Sequence, residues 1–277
     1  MAQNNTPLYR IVSLAPPLTE ILGYLGFSYQ VTAIDEYYED VPPTLDVQKP
    51  EYWYTMAEGR VESLRPELVL TMGLSQWDLH KRFKEKGYNA IHLDPRSLRD
   101  VEDCFRQIGK EAGAQEQARL LAADFAGSLE GLKDRIPPGA YRPKLYCEDW
   151  SKPPTVPGGW YPELMTAAGA HYFPMLPREA SREVRFEEVL KFDPEIMVFA
   201  IRGTEGVDFN PDEVLKRFGW EKINAVKKRR LYTVDQILLN RPSLRLFEGA
   251  KCVQQILGQS FWGWPLTTSS SIRKVLD

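Results

Sequence analysis

Two runs of alternating strand and helix, parted by a single long helical pattern, constrain this chain most. Residues 10–15, RIVSLA, read as a buried strand closed by Pro16-Pro17. Thr19 is placed to cap the helix TEILGYLG, and a second strand follows at 30–35. Helix 57–65, strand 67–71, helix 77–86, strand 89–93 and helix 97–112 continue the series. Residues 115–136 then form one uninterrupted helical pattern, with Leu120, Leu121, Phe125, Leu129 and Leu132 recurring at helical spacing. Pro137-Pro138-Gly139 stops it. A second series begins with the strand KLYCED and runs through helices 161–168 and 186–192, strand 195–200, helix 211–218, strand 231–235 and helix 243–257. Alternation at these lengths predicts α/β architecture with parallel sheets.

The two series echo one another. RVESLRPELVL (60–70) and FEEVLKFDPEIMVF (186–199) both give a short amphipathic helix, an acidic turn with Pro, and an apolar strand. The expected organisation is an N-terminal α/β lobe at 8–114, a linker helix at 115–137, a C-terminal α/β lobe at 140–258 and a tail at 259–277. In the tail, FWGWP is expected to pack and the Ser/Thr-rich end to be mobile.

A net charge of -3 argues against nucleic acid as a partner, because a phosphate-binding surface carries a basic bias. The run Lys227–Arg230 reads as a solvated turn. Cys104, Cys147 and Cys252 are widely spaced without a C-x-x-C, so they read as buried thiols and no zinc site is expected. No apolar run approaches the ~20 residues of a membrane span, so membrane insertion is not expected. The N-terminal MAQNNTPLYR lacks an apolar signal core. Either the protein stays in the cytoplasm or an export signal is missing from the sequence.

The segment Glu148–Gly169, EDWSKPPTVPGGWYPELMTAAG, concentrates aromatic, Pro and Gly residues. Its prolines stiffen a loop, and Gly158-Gly159 permits a sharp bend or close approach to a ligand. Trp150 and Trp160 give it flat apolar faces. Tyr37, Tyr38, Trp53 and Tyr54 cluster in the loop after the second strand, and Trp77 follows the strand ELVLT. Strand carboxyl ends are where open α/β sheets bind ligands. Asp235 and Arg241 flank the loop after the late strand RLYTV, positioned either for a ligand's polar groups or for one another. His80, His92 and His171 are scattered, with no H-E-x-x-H among them, and read as structural or exposed. The chain has no G-x-S-x-G, P-loop or G-x-G-x-x-G. These features point to binding of a large flat molecule, not to catalysis, and call for no catalytic residue or cofactor.

The order strand–APPLTE–helix, a Tyr/acidic/Pro loop, ESLRPELVL, one long helix and FEEVLKFDPEIMV resembles the periplasmic binding proteins with a helical backbone. The resemblance spans about residues 9–258. It implies two Rossmann-like lobes of the class III type and a ligand in the cleft between them. It also implies an ABC permease as partner and cobalamin, an iron-siderophore or haem as cargo. EDWSKPP-TVPGGWYPELMTAAGA is similar to the cobalamin-binding branch. Carried over by position, Tyr38, Trp53 and Asp235 match ligand contacts, with Trp77, Trp150, Trp160 and Arg241 completing the expected corrinoid site. Glu187 matches a permease-docking acid. The other docking position holds Gly59, with Glu58 beside it. Gly159 stands where relatives often place a His, so no His from that loop is expected to approach the cobalt. A siderophore or haem receptor, a corrinoid salvage or processing enzyme, and a soluble carrier or sensor without any transporter are the alternatives.

Overall fold

The computed structural model describes residues 10–34, 58–202, 212–265 and 269–274. They divide into two compact units, one within Met1–Pro95 and Glu102–Ala122, the other within Arg96–Val101 and Ala123–Asp277. Tyr38 and Trp53 lie outside the described residues.

The first unit is built on a four-stranded sheet. Its elements are β1 (Ile11–Ser13), α1 (Pro16–Tyr24), β2 (Val31–Ile34), α2 (Glu58–Ser63), β3 (Leu68–Met72), α3 (Trp77–Glu85) and β4 (Ala90–Leu93). The strand order is β2-β1-β3-β4, and every pair is parallel. β1 is buried throughout, which explains its unbroken apolar reading: a parallel strand covered on both faces has no polar side to show. Val12, Leu14, Val61, Val69, Leu79, Phe83 and Ala90 form one core cluster. Burying a side chain such as Phe83 contributes roughly 1.5–3 kcal/mol.

Two helices carry the chain onward, α4 (Leu98–Ala112) and α5 (Gln115–Asp134). Their junction is tight at Gly109, where an added Cβ would lie 2.2 Å from the Ala118 Cβ. Residues 115–122 of α5 belong to the first unit and the remainder to the second.

The second unit continues with β5 (Lys144–Glu148), β6 (Trp150–Ser151), β7 (Pro154–Val156), α6 (Tyr161–Ala167), β8 (His171–Tyr172), β9 (Arg182–Glu183) and α7 (Phe186–Phe192). It closes with β10 (Ile196–Phe199), α8 (Asp212–Leu215), α9 (Asn224–Lys227), β11 (Leu231–Val234), α10 (Gln236–Asn240), α11 (Arg245–Phe261) and β12 (Ile272–Lys274). The main sheet has the order β12-β11-β10-β5-β8, parallel except for β12. A small antiparallel sheet, β6-β7-β9, lies beside it, with the Asp149 amide just past β5 donating to the Thr155 carbonyl of β7 at 3.1 Å.

Several expectations change here. The last helix runs to Phe261, past the boundary set for the tail, and α10 forms ahead of it. Helix 211–218 shortens to Asp212–Leu215. The tail does pack through its indoles: Trp262 Nε1 donates to the Tyr141 carbonyl at 2.9 Å, and Trp264 lies across Gly258. Within the stretch expected to be mobile, Ile272–Lys274 adds an antiparallel edge to β11. Backbone pairing needs no apolar alternation, so the sequence carries no sign of that strand. Lys227, Lys228 and Arg229 are exposed as expected, while Arg230 covers the Phe261 ring at 4.3 Å. All three cysteines are free; Cys104 and Cys147 are buried and Cys252 half-buried.

Candidate functional site

In the first unit, the carboxyl ends of β3 and β4 hold three aromatic rings. Trp77 begins α3 and is 45% exposed. Its indole stacks on His80 one turn later, at 5.5 Å between ring centres, and meets the edge of His92 at 5.0 Å. The two imidazoles are 5.4 Å apart. Gln76 anchors this corner by accepting from the Met72 amide at 2.7 Å and donating to the Leu14 carbonyl at 2.5 Å. His92 Nδ1 lies 3.0 Å from Thr71 Oγ1, which donates its only proton to the Ile91 carbonyl at 3.1 Å. That contact engages Nδ1 and leaves Nε2 as the ring nitrogen that Thr71 does not hold. His80 Nδ1 is buried with no hydrogen-bond partner. Burial lowers both imidazoles below the ordinary histidine range. Lys84 adds to the effect on His80; for His92, His80 adds to it and Asp94 opposes it.

Periodicity could not find this cluster. His80 lies on a helix and His92 on a strand, and only the β3–β4 pairing brings them together. The expectation of scattered histidines fails for these two. It holds for His171, which stacks on Phe192 at 5.9 Å.

In the second unit, β5 delivers adjacent carboxylates at its carboxyl end. Glu148 is fully buried and takes a two-pronged grip from Arg217 at 2.6 and 2.7 Å, with Tyr146 donating at 2.9 Å. Burial pushes the Glu148 carboxyl up even against the guanidinium. Arg217 also lies over the Trp220 ring at 4.5 Å. Asp149, 2% exposed, pairs through Oδ2 with Arg202 at 2.5 Å, while its Oδ1 is buried without a partner. Burial raises this carboxyl too, opposed by Arg202. Beside these pairs opens a groove of about 460 Å³, walled by Pro154, Val184, Phe186, Phe218 and Trp220.

The Trp- and Gly-rich segment is used in a different way from its sequence reading. Pro153 and Pro154 sit at the tip of the β6–β7 hairpin, where Trp150 pairs with Thr155. Trp150 is 49% exposed, with its indole N–H on the Lys152 carbonyl at 3.0 Å. The Gly pair admits backbone: a Cβ on Gly158 would stand 2.1 Å from the Glu179 carbonyl oxygen, and Gly159 adopts a φ of +61° while donating to that same oxygen at 2.6 Å. Trp160 is half-buried, donates to the Leu239 carbonyl at 3.0 Å and stacks on Tyr161.

The remaining candidates are committed to the fold to different degrees. Asp235 caps α10, accepting from the Ile237 amide at 3.0 Å, and Arg241 is 9% exposed. One carboxylate oxygen of Asp235 is thus committed to the fold. Glu187 is exposed in the first turn of α7, and Glu58 opens α2. Among the described residues, no group of three or more His, Cys, Asp or Glu converges. No described helix is long and apolar enough to cross a membrane.

Comparison with known proteins places the chain in a family. The sequence model of periplasmic binding proteins matches residues 11–238. An uncharacterized ABC transporter substrate-binding lipoprotein, YvrC of Bacillus subtilis, is 28% identical over 260 residues, covering 87% of this chain and 77% of the relative. A vitamin B12-binding protein of Vibrio campbellii is 25% identical over 247 residues, covering 87% and 86%. Among solved structures, a periplasmic haem-binding protein from Pseudomonas aeruginosa superposes with a TM-score of 0.78 at 20% identity, covering 97% of this chain and 98% of that one.

Proposed function

This chain belongs to the periplasmic binding protein family, and from that premise we propose that it is the substrate-binding component of an ABC importer whose cargo is a cobalamin-type corrinoid. The observation that carries the cargo is the pair of half-exposed indoles, Trp77 at the end of β3 and Trp150 just past β5. Each stands at a strand carboxyl end of its own unit, where α/β sheets receive ligands. Each is steadied by a hydrogen bond or a ring contact, so little side-chain freedom is lost when a flat ring covers it. Stacking of this kind contributes about 0.5–1.5 kcal/mol per ring beyond burial. The vitamin B12-binding relative, aligned along most of both chains, supports the same cargo. Glu187, exposed on α7, is the acid proposed to meet the permease, with Glu58 the second. Trp160, Asp235 and Arg241 are proposed to hold the walls of the site: the Trp160 indole N–H and one Asp235 oxygen are engaged within the fold, and Arg241 is 9% exposed.

The proposed role is binding without turnover. Glu148 and Asp149 are locked to arginines, which suits an anchor better than an acid–base pair. Haem or another iron chelate is the second reading, favoured by His92, whose Nδ1 is held by Thr71 and whose Nε2 is not.

Calorimetry and Trp fluorescence with cyanocobalamin test the cargo. Saturable one-to-one binding with quenching is expected, with a cobalamin spectrum that stays unchanged over hours. Absence of both heat and quenching removes the corrinoid. A Soret band that shifts and saturates with hemin instead selects the second reading, and a cobalamin spectrum that evolves with time selects an enzyme.

A further inference from the structure

We propose that His80 and His92 form a two-imidazole binding site for a late first-row divalent metal ion, independent of the cargo assigned above. A nitrogen–metal bond of about 2.0–2.1 Å puts each imidazole centre about 3.2 Å from the ion, so two rings at a tetrahedral angle stand roughly 5.2 Å apart. The observed separation of the ring centres is 5.4 Å, within reach of one shared ion. Each ring has one nitrogen without a partner. His92 is held by Thr71 through Nδ1, which leaves its Nε2, and His80 Nδ1 is buried and unsatisfied.

The arrangement around the pair is that of a metal ligand's support. Histidines that bind metals donate their other N–H to an oxygen that fixes the ring, and Thr71 Oγ1, 3.0 Å from His92 Nδ1, is placed to receive it. Trp77 covers His80 with a stacked indole, shielding that side of the pair from water. A buried ring nitrogen with no partner is costly, and a metal cation is one group that would satisfy it in the unprotonated form. The chemistry selects the ion. Two neutral imidazoles offer borderline nitrogen donors and no negative charge, which suits Cu²⁺, Ni²⁺ or Zn²⁺ and not Ca²⁺ or Mg²⁺. Two protein ligands leave the other coordination positions to water or to a donor atom of a bound molecule.

The test uses the full chain without an affinity tag, titrated with Zn²⁺ by calorimetry and with Cu²⁺ by electron paramagnetic resonance. One ion per chain is expected, with hyperfine structure from two imidazole nitrogens. His80→Gln and His92→Gln should each weaken binding at least tenfold, whereas His171→Gln should leave it unchanged. Thr71→Val, which removes that oxygen, should weaken it less than either ligand change. Binding that survives both glutamine substitutions, or that falls with His171→Gln, overturns the site. Should the variants misfold by circular dichroism, the wild-type spectrum still decides: one nitrogen or none rules out the pair. Loss of cyanocobalamin binding would not bear on this result, and the metal test does not require it.

Discussion

The two units solve the same problem, what to place at the carboxyl ends of a parallel sheet, with opposite materials. The first uses neutral rings: Trp77, His80 and His92 pack against one another with no ion pair among them. The second buries charge: Glu148 and Asp149 are fixed by Arg217 and Arg202. Neutral rings remain available to an incoming ligand because their faces and lone pairs are not consumed. Buried ion pairs are consumed by each other, and what they give is a fixed position for the backbone. Arg217 also donates to the Ser151 carbonyl at 3.2 Å, so one guanidinium ties β5 to the hairpin that carries Trp150. The first strand end is thus built for contact and the second for holding a contact surface in place.

That contrast can be broken in order of expected effect. Arg217→Ala strands the Glu148 carboxylate in the interior and should cost about 3 kcal/mol in denaturant unfolding, the scale for breaking a buried pair. Glu148→Gln with Arg217→Met should recover most of it. A loss under 1 kcal/mol for the single change would mean that the pair does not anchor the second unit. Gly109→Ala brings a methyl onto Ala118 Cβ and the Ala114 carbonyl, both parts of firm helical structure, and should cost about 2 kcal/mol. Gly258→Ala meets the Trp264 ring of the tail, which can swing aside, so it should cost about half as much. An equal loss at both sites would show the tail to be as rigid as the helix junction.

Trp77→Ala should barely change the unfolding midpoint, since the indole is half-exposed, yet weaken cyanocobalamin binding about tenfold, or ~1.4 kcal/mol. Unchanged affinity would remove Trp77 from the ligand surface.

The smallest effect concerns Asp100. Burial pushes its carboxyl up, but the Arg96 amide at 2.8 Å, Arg178 and Ser97 outweigh this and hold it below the ordinary range. A carboxyl lowered on folding adds stability that is complete above its unfolded pKa and disappears as pH falls through the folded value. Asp100→Asn should therefore cost about 1 kcal/mol at pH 7, with the gap to wild type closing in acid. A gap that stays constant from pH 7 to pH 3 would contradict the assignment.

Much of this molecule was legible in the chain because burial on two faces leaves a local record. RIVSLA, ELVLT and EIMVF are unbroken apolar runs because strands covered on both sides have no polar face, and β1, β3 and β10 fall within one or two residues of where they read. Helix α5 is evident from its spacing and from the prolines that end it. Trp77 and Trp150 could be placed as exposed strand-end rings because a strand's end is visible in sequence. Trp160, Asp235 and Arg241 could not be judged the same way. Whether such a side chain faces a ligand or satisfies a neighbouring carbonyl or amide depends on partners up to 79 positions away, as for Trp160 and Leu239.

What the sequence determined by itself was the alternation of elements, the two-lobed plan and the supply of aromatic residues at strand ends. Those follow from local periodicity and from Pro and Gly, which act on their own backbone. Only the tertiary structure decided which residues meet: the histidine pair across β3 and β4, the arginines that neutralise Glu148 and Asp149, the backbone that fills the space beside Gly158, and the late edge strand β12. Each of these joins segments remote in the chain, and no local pattern encodes a distance that arises only when a sheet closes.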